Sequence, residues 1–146
     1  KKEVKDLIKD ARFIGGGASI IPIALRERFV YDEKNALLVG DAAGQVKSTT
    51  GGGIIFGGNA AIIAAKAIHD KINSKTSLES YERNWLKEFG MEVKLHNLIH
   101  SIYSSLSNRQ LDYLARLLKA LSIEKVLSKY GDMDRPSLII KRMLKV

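Results

Sequence analysis

The chain has 146 residues and a mass of 16.2 kDa, which allows one domain of ordinary size. It has no cysteine, and this excludes disulfide scaffolds, thiolate zinc sites, iron–sulfur ligation and a cysteine nucleophile. Hydrophobic residues make up 45% of the chain and charged residues 27%, a globular composition that excludes a disordered tail and a membrane bundle. The net charge of +8, from 24 Lys and Arg against 16 Asp and Glu, favours anionic partners.

The first residues predict a short helix and an irregular strand. Residue 1 is lysine and residues 1–5 open no apolar run, so we expect a chain without a signal peptide that was cut from a longer one. The pattern of Glu3–Arg12 predicts a short amphipathic helix. Ala18–Ile23 predicts a strand that Pro22 interrupts, as is typical of a sheet edge or a bend.

Glycines are concentrated in the first half of the chain, where ten of the twelve lie between Gly15 and Gly58. Because glycine supplies positive φ angles and allows close approach of the backbone, this half predicts a region shaped around a ligand. Asn35–Gly40 predicts a short strand buried on both faces, and a loop follows over Asp41–Gly53. Ile54–Ile72 is apolar nearly all round and predicts a buried helix.

The second half predicts one helix after another. A capping signature at Ser77 opens a helix that we expect to end at Gly90, and Pro136 suits the first turn of a last helix. The residue ranges of the predicted helices are Ser77–Gly90, Met91–Leu106, Gln110–Leu121, Ile123–Tyr130 and Ser137–Val146. Residues 71–146 hold 14 Lys and Arg against 8 Asp and Glu, a net charge of +6, so the helical part is the basic part.

The glycines and histidines match no complete phosphate or metal motif. Gly51 and Gly53 lack the third glycine of a dinucleotide fingerprint, and further helices follow where that fold needs a second parallel strand. His96 and His100 stand one helical turn apart, but asparagine occupies the position where the zinc-protease motif has glutamate. We therefore predict no metal site.

The stretch Asn35–Ala65 combines features that point to a ligand. Asp41 follows the predicted strand, and Ala42–Gly44 leave room for a ligand beside the backbone. Gly51–Gly53 would expose backbone N–H groups at a helix N-terminus, where negative charge is favoured. The alternative is that Asp41 only caps a turn and that the glycines form a flexible loop.

The same stretch strongly resembles the second flavin-binding motif of flavoproteins with the p-hydroxybenzoate hydroxylase-like fold. Within them it is most similar to the archaeal geranylgeranyl reductase family, whose members typically read GDAAG-(Q/F)-V, then a threonine-rich turn, then GGGI or GEGI. The matching residues are Gly40–Val46, Thr49–Thr50 and Gly51–Ile54. Ser48 departs from the family, which usually has proline there. The resemblance covers most of the chain and implies the carboxyl-terminal part of such an enzyme.

The resemblance implies FAD as the cofactor, bound by Gly40, Asp41, Ala42, Gly51, Gly52, Gly53 and Ile54. Asp41 would bind the ribityl hydroxyls, and the N–H groups of Gly53 and Ile54 would contact the pyrimidine edge of the isoalloxazine. The helix that begins there would stabilise negative charge on the reduced flavin. An amino-terminal βαβ unit, absent from this sequence, would hold the adenine half. No catalytic side chain is assigned.

The expected fold class is an α-rich α+β fragment. Residues 1–70 would form the end of an FAD-binding domain, a strand–loop–helix unit of an FAD/NAD(P)-binding Rossmann-like fold. Residues 71–146 would form a helical carboxyl-terminal region.

The implied function is FAD-dependent reduction of carbon–carbon double bonds in geranylgeranyl chains of archaeal-type membrane lipids. The expected partners are a prenylated lipid and an unidentified electron donor, in the cytoplasm or at the membrane periphery. One alternative is a flavin monooxygenase or aromatic hydroxylase of the same fold, and another is a basic helical interaction module without a cofactor. Nucleic acid is not an expected partner, because the basic residues are dispersed without interleaved aromatic residues.

The last predicted helix, Ser137–Val146, suggests contact with a membrane surface. Its apolar residues form a broad face, and Lys141, Arg142 and Lys145 gather on the other side. A basic amphipathic helix can lie in the interface of anionic lipid. The same pattern also describes a terminal helix that packs on its own protein.

Overall fold

A computed structural model describes residues 9–12 and 14–143 of the chain. In this part a two-stranded hairpin, β1 (Val30–Tyr31) and β2 (Ala36–Leu37), precedes a series of helices. The helices are α1 (Ile54–Ser74), α2 (Glu79–Ser105), α3 (Asn108–Ala120), α4 (Ile123–Tyr130) and α5 (Pro136–Met143). The predicted helix Glu3–Arg12 falls mostly outside the described residues, and the first described residues, Lys9 and Asp10, form a turn.

The hairpin replaces the longer buried strand predicted over Asn35–Gly40. Its strands are antiparallel, with Val30 opposite Leu37, and Asn35 reverses the chain with a left-handed φ of 50°. Leu37 is only half-buried and its neighbour Ala36 is exposed, so the prediction of a strand buried on both faces is wrong. The chain leaves the hairpin two residues later and enters a 3₁₀ turn at Gly40, where φ is 64°.

The strand predicted over Ala18–Ile23 is also wrong, since this segment has no regular secondary structure. The sheet of the described residues contains only the two hairpin strands, so the segment has no neighbour to complete its backbone hydrogen bonds. Most of its side chains are exposed, and Ile20 is almost fully so. Local β propensity therefore does not produce a strand here.

Helix α1 confirms the predicted element but not its predicted burial. The helix extends two residues beyond Ile72, and its buried residues recur every three or four positions: Phe56, Ala60, Ala64 and Ala67. The opposite face is open, with Ile62 71% and Ile72 75% exposed. The high isoleucine content therefore marks a helix with one packed face and one uncovered face.

Helix α2 runs without a break through Gly90, where the sequence predicted an end. A glycine inside a helix costs about 1 kcal/mol relative to alanine. Trp85 and Phe89 before the glycine, and Val93 after it, are all buried in the same core. Because this burial contributes more than the glycine costs, the helix continues.

Aromatic side chains from both halves of the sequence form the centre of the core. Trp85 lies between Phe29 and Phe56, with ring centroids 5.8 and 6.2 Å away in edge-to-face geometry, and Phe29 also meets Tyr81 at 5.4 Å. These rings join the segment before β1 to α1 and α2. The predicted boundary at residue 70 falls inside α1, and the division into two parts stays a prediction.

The last helices begin and end close to their predicted limits. Ser107 caps α3 through a reciprocal contact with Gln110, and α4 spans the predicted residues Ile123–Tyr130. Helix α5 begins at Pro136, one residue before the predicted start at Ser137 and with the proline in its first turn as predicted, and it is described as far as Met143. The predicted extension to Val146 lies outside the described residues.

Replacement of Trp85 tests the aromatic core. We expect Trp85→Ala to lower the free energy of unfolding by about 3–5 kcal/mol, because the fully buried indole fills the space between three rings. Urea denaturation followed by far-ultraviolet circular dichroism measures this change. Tyr113→Ala is the control, since Tyr113 is mostly exposed, and it should cost less than about 1 kcal/mol. Equal losses in the two variants would contradict the assigned core.

Candidate functional site

The glycine-rich segment after β2 forms a compact turn rather than a flexible loop. A 3₁₀ turn spans Gly40–Ala43, and Gly44 follows with a left-handed φ of 69°. A Cβ atom on Gly44 would lie 2.0 Å from the carbonyl oxygen of Ala24, so only glycine fits at this position. Arg26 fixes the adjacent chain, because its backbone N–H donates to Ala43 and its Nε donates to the carbonyl oxygen of Ala42 at 2.6 Å.

A buried chain of hydrogen bonds holds this turn against α2. Gln45 is fully buried, and its Oε1 accepts from the N–H of Gly40 at 2.7 Å. Its Nε2 donates to the hydroxyl of Tyr81 at 2.8 Å, and that hydroxyl donates to the carbonyl oxygen of Leu38 at 3.0 Å. Burial raises the pKa of Tyr81, and the hydrogen bond from Gln45 opposes this rise. Gln45 lies within the matching motif Gly40–Val46, but neither its hydrogen bonds nor the role of Tyr81 was predicted.

Further backbone hydrogen bonds fold the second half of the segment back on itself. The carbonyl oxygen of Lys47 accepts from the N–H groups of Thr50 and Gly51, at 3.2 and 2.8 Å. The N–H of Lys47 donates to Gly52 at 3.0 Å, and Gly51 bends the chain with a φ of 70°. The three glycines Gly51–Gly53 are therefore held in one conformation that leads directly into α1.

This folding brings the two ends of the predicted binding segment together. The carboxylate Oδ1 of Asp41 lies 3.0 Å from the position that a Cβ atom on Gly53 would occupy. Gly40 lies close to α1 as well, since its Cα is 3.4 Å from the corresponding position on Gly57. The start of α1 therefore packs closely against the turn. Asp41 is exposed, and so is Ile54, the first residue of α1.

The N-terminus of α1 gives the surface around Asp41 and Gly53 a positive electrostatic potential. Gly53 is the N-cap residue, and no side-chain hydrogen bond caps α1 within the described part of the chain. The first N–H groups of a helix lack intrahelical acceptors, and the aligned peptide dipoles place partial positive charge there. An exposed carboxylate that accepts hydrogen bonds, Asp41, thus stands beside donor groups that favour an anion. Of the other predicted residues, Ala42 lies in the 3₁₀ turn, whereas the N–H groups of Gly51 and Gly52 are not free, since they donate to the carbonyl oxygen of Lys47 and the hydroxyl of Thr50.

Lys47 is a residue of the site that motif analysis missed. Its side chain passes beside Gly52, where an added Cβ atom would lie 2.9 Å from Cε and 3.3 Å from Nζ. The ammonium group pairs with the carboxylate of Asp134, in the segment before α5, and the lysine side chain is only 13% exposed. This ion pair joins the glycine segment to a residue 87 positions away in the sequence.

His96, on α2, is buried against Thr49 of the glycine-rich segment. Its Nδ1 lies 2.8 Å from the hydroxyl oxygen of Thr49, and Tyr103, further along α2, donates to the carbonyl oxygen of Thr49 at 3.1 Å. Burial and, to a smaller extent, the charge of Lys47 lower the pKa of His96, while Glu92 and Asp134 oppose this shift. In the described part of the chain, no three His, Asp or Glu side chains are grouped as they would be to hold a metal ion.

Sequence comparison connects the chain with archaeal proteins. It is 32% identical over 145 residues to an uncharacterized protein of Methanocaldococcus jannaschii, covering 99% of this chain and 37% of that protein. It is 37% identical to digeranylgeranylglycerophospholipid reductase 2 of Methanopyrus kandleri, over 93% of this chain and 37% of the relative. For the digeranylgeranylglycerophospholipid reductase of M. jannaschii the identity is 36%, over 78% of this chain and 30% of the relative.

The chain thus spans about a third of the length of these curated relatives. No protein-family model matches the chain. No solved structure matches it either.

Removal of one hydroxyl tests the hydrogen-bond chain of Gln45. We expect Tyr81→Phe to lower the free energy of unfolding by about 1–3 kcal/mol, because the buried Nε2 of Gln45 and the carbonyl oxygen of Leu38 both lose their partner. Urea denaturation measures the change, with Tyr113→Phe on the exposed face of α3 as the matched control. A stability equal to that of the control would show that the bond chain is not needed to hold the turn.

Acidification tests the buried position of His96. Its pKa is lowered below the ordinary 6.5, so the unfolded chain binds the proton first and the free energy of unfolding falls as the pH drops below that value. Denaturation between about pH 8 and about pH 5 should show this fall, and His96→Gln should reduce it. His69→Gln is the control, since His69 is exposed. The prediction fails if only the His69 variant changes the slope.

Proposed function

Because the chain belongs by sequence to the geranylgeranyl reductase family, we propose that it contributes the flavin-binding turn of an FAD-dependent oxidoreductase. The enzyme would reduce carbon–carbon double bonds of geranylgeranyl chains in archaeal-type membrane lipids. The observation that carries this proposal is the convergence of Asp41 and Gly53 at an uncapped helix N-terminus. The activity belongs to the complete protein, since the chain spans about a third of its relatives.

Asp41 and the first residues of α1 offer hydrogen-bonding groups that complement those of FAD. The exposed carboxylate of Asp41 would accept hydrogen bonds from ribityl hydroxyls, and the N–H groups of Gly53 and Ile54 would donate to the pyrimidine edge. A side chain on Gly53 would crowd the Asp41 carboxylate at 3.0 Å. Glycine at this position therefore keeps both groups accessible to one ligand.

The electrostatics of the turn also support an electron-accepting cofactor. When bound and reduced by the electron donor, FAD would supply the hydride for alkene reduction. The N-terminus of α1 provides positive potential without a side chain that must move. Lys47 adds a cation beside Gly52, but Asp134 neutralises much of its charge, so the helix N-terminus is the main source. No side chain of the turn is assigned as a general acid or base.

The names of the relatives favour reduction over hydroxylation. Several curated proteins at 33–37% identity are digeranylgeranylglycerophospholipid reductases. A prenylated phospholipid is thus the proposed substrate, and an electron donor of unidentified nature would reduce the flavin. The adenine half of FAD would be held by a part of the protein outside this chain.

Substitution of Asp41 tests the cofactor site in the complete protein. We expect Asp41→Ala to weaken FAD binding about ten- to a hundredfold, since a hydrogen bond to a charged group contributes about 1.5–3 kcal/mol. Asp41→Asn should lose less, because the amide oxygen still accepts a hydrogen bond. The measurement is the flavin absorbance that remains bound to protein after dilution and gel filtration.

Asp112→Ala is the control, because Asp112 is an exposed carboxylate on α3, away from the glycine turn. It should keep its flavin. Circular dichroism should show the same helix content in all variants, since the side chain of Asp41 contributes little to the core. Full flavin occupancy in diluted Asp41→Ala protein would contradict the proposed cofactor contact and show that Asp41 serves only the turn.

A further inference from the structure

Helices α3 and α4 are amphipathic, but neither has a buried residue. Their leucines are spaced three or four positions apart on α3, as on the packed side of a helix. Four of these apolar side chains remain exposed: Leu117 42%, Leu118 38%, Leu121 62% and Leu127 45%. We call these four residues the leucine face. The last turns of α2, which lead into α3, expose three further apolar residues: Leu98, Ile99 and Ile102.

Cations lie on the faces of α3 and α4 opposite the leucine face. Residues 108–130 hold five Lys and Arg against two Asp and Glu, a net charge of +3. On α3, Arg109, Arg116 and Lys119 follow each other at spacings of seven and three residues, which places them on the side opposite the leucines. Lys125 and Lys129, one turn apart on α4, are likewise exposed. An apolar face with Lys and Arg on the opposite, polar face is typical of helices that lie in a lipid interface.

The uncovered face of α1 lacks this charge pattern. Ile62 and Ile72 are more exposed than any residue of the leucine face. However, α1 carries only two lysines, and one of them, Lys71, pairs with Asp32 at 2.7 Å. Exposed apolar area alone therefore does not distinguish the two faces, whereas the cations do.

Helix α5, for which membrane contact was predicted, is held on α2. The buried carboxylate of Glu92 accepts hydrogen bonds from the backbone N–H and the hydroxyl of Ser137, in the first turn of α5. Leu138 and Ile140 are 37% and 43% exposed, and the side chains beyond Lys141 lie outside the described part. The membrane contact of Ser137–Val146 stays a prediction, and Leu121, at 62%, is more exposed than Leu138 or Ile140.

We propose that the leucine face of α3 and α4 docks on the surface of an anionic lipid bilayer. The leucines would enter the boundary between headgroups and acyl chains, while the cations of the polar face attract anionic headgroups. None of the described helices is long and apolar enough to cross a bilayer. The choice of lipid rests in part on the proposed function, because the named relatives act on a phospholipid.

Vesicle co-sedimentation of the full-length protein tests the docking. Vesicles of phosphatidylglycerol and phosphatidylcholine should bind the protein at least about tenfold more strongly than pure phosphatidylcholine, and added salt should weaken this binding. The double variant Leu117→Gln/Leu121→Gln should weaken binding by about tenfold or more. Its matched control is Ile62→Gln/Ile72→Gln on α1, which should bind like the unchanged protein.

A second pair of variants separates charge from apolar contact. Lys119→Gln/Lys125→Gln should weaken binding to anionic vesicles by about thirtyfold, at about 1 kcal/mol for each cation, and leave binding to neutral vesicles unchanged. Lys66→Gln/Lys94→Gln, exposed lysines on α1 and α2, is the control. Circular dichroism checks that all variants keep their helices.

Three results would overturn the proposal. The unchanged protein could fail to bind anionic vesicles, or the α1 variants could lose as much binding as the α3 and α4 variants. The leucine variant could also abolish self-association without affecting lipid binding, which would assign the face to a second copy of the chain. Bound flavin is measured in the same samples. If the unchanged protein contains flavin but does not bind vesicles, only the docking proposal is contradicted. If the unchanged protein contains no flavin, the proposed function is contradicted.

Discussion

The hydrogen bonds of Gln45 determine the geometry of the candidate site. A fully buried amide must find partners, and Gln45 finds them in the N–H of Gly40 and the hydroxyl of Tyr81. Tyr81 is held in turn by its edge-to-face contact with Phe29 in the aromatic core. The turn that places Asp41 beside Gly53 is therefore attached to the best-packed part of the molecule, and a ligand would meet an arrangement that is already formed.

Helix α2, which is unbroken, makes most of the contacts that hold the glycine-rich segment and the last helix. Tyr81 binds the turn, Glu92 binds the start of α5, and His96 and Tyr103 both contact Thr49. These four contacts share one face only because the helix does not end at Gly90. The continuity of α2 thus links the glycine segment, the ion pair of Lys47 with Asp134 and the last helix.

Local signals predicted much of this structure, and contacts distant in sequence account for the rest. Proline at 136 and the pattern of α1 and α4 were sufficient to place those helices, and the family resemblance is confirmed by the named relatives. The end predicted at Gly90 was wrong because the burial of neighbours such as Phe89 outweighs a local preference. The pairing of Gln45 with Tyr81 spans 36 residues and that of Lys47 with Asp134 spans 87, so no motif or period could have revealed them.

The central claim is that FAD binds at the turn between Gly40 and Ile54. Hydrogen exchange of the complete protein, with and without FAD and read by mass spectrometry, tests it most directly. Bound FAD should slow exchange of the amides of Gly53 and Ile54, at the uncapped N-terminus of α1, and of the turn around Asp41. The exposed α3 and α4 should exchange at the same rate in both states. Protection elsewhere, with unchanged exchange over residues 40–54, would contradict the assignment.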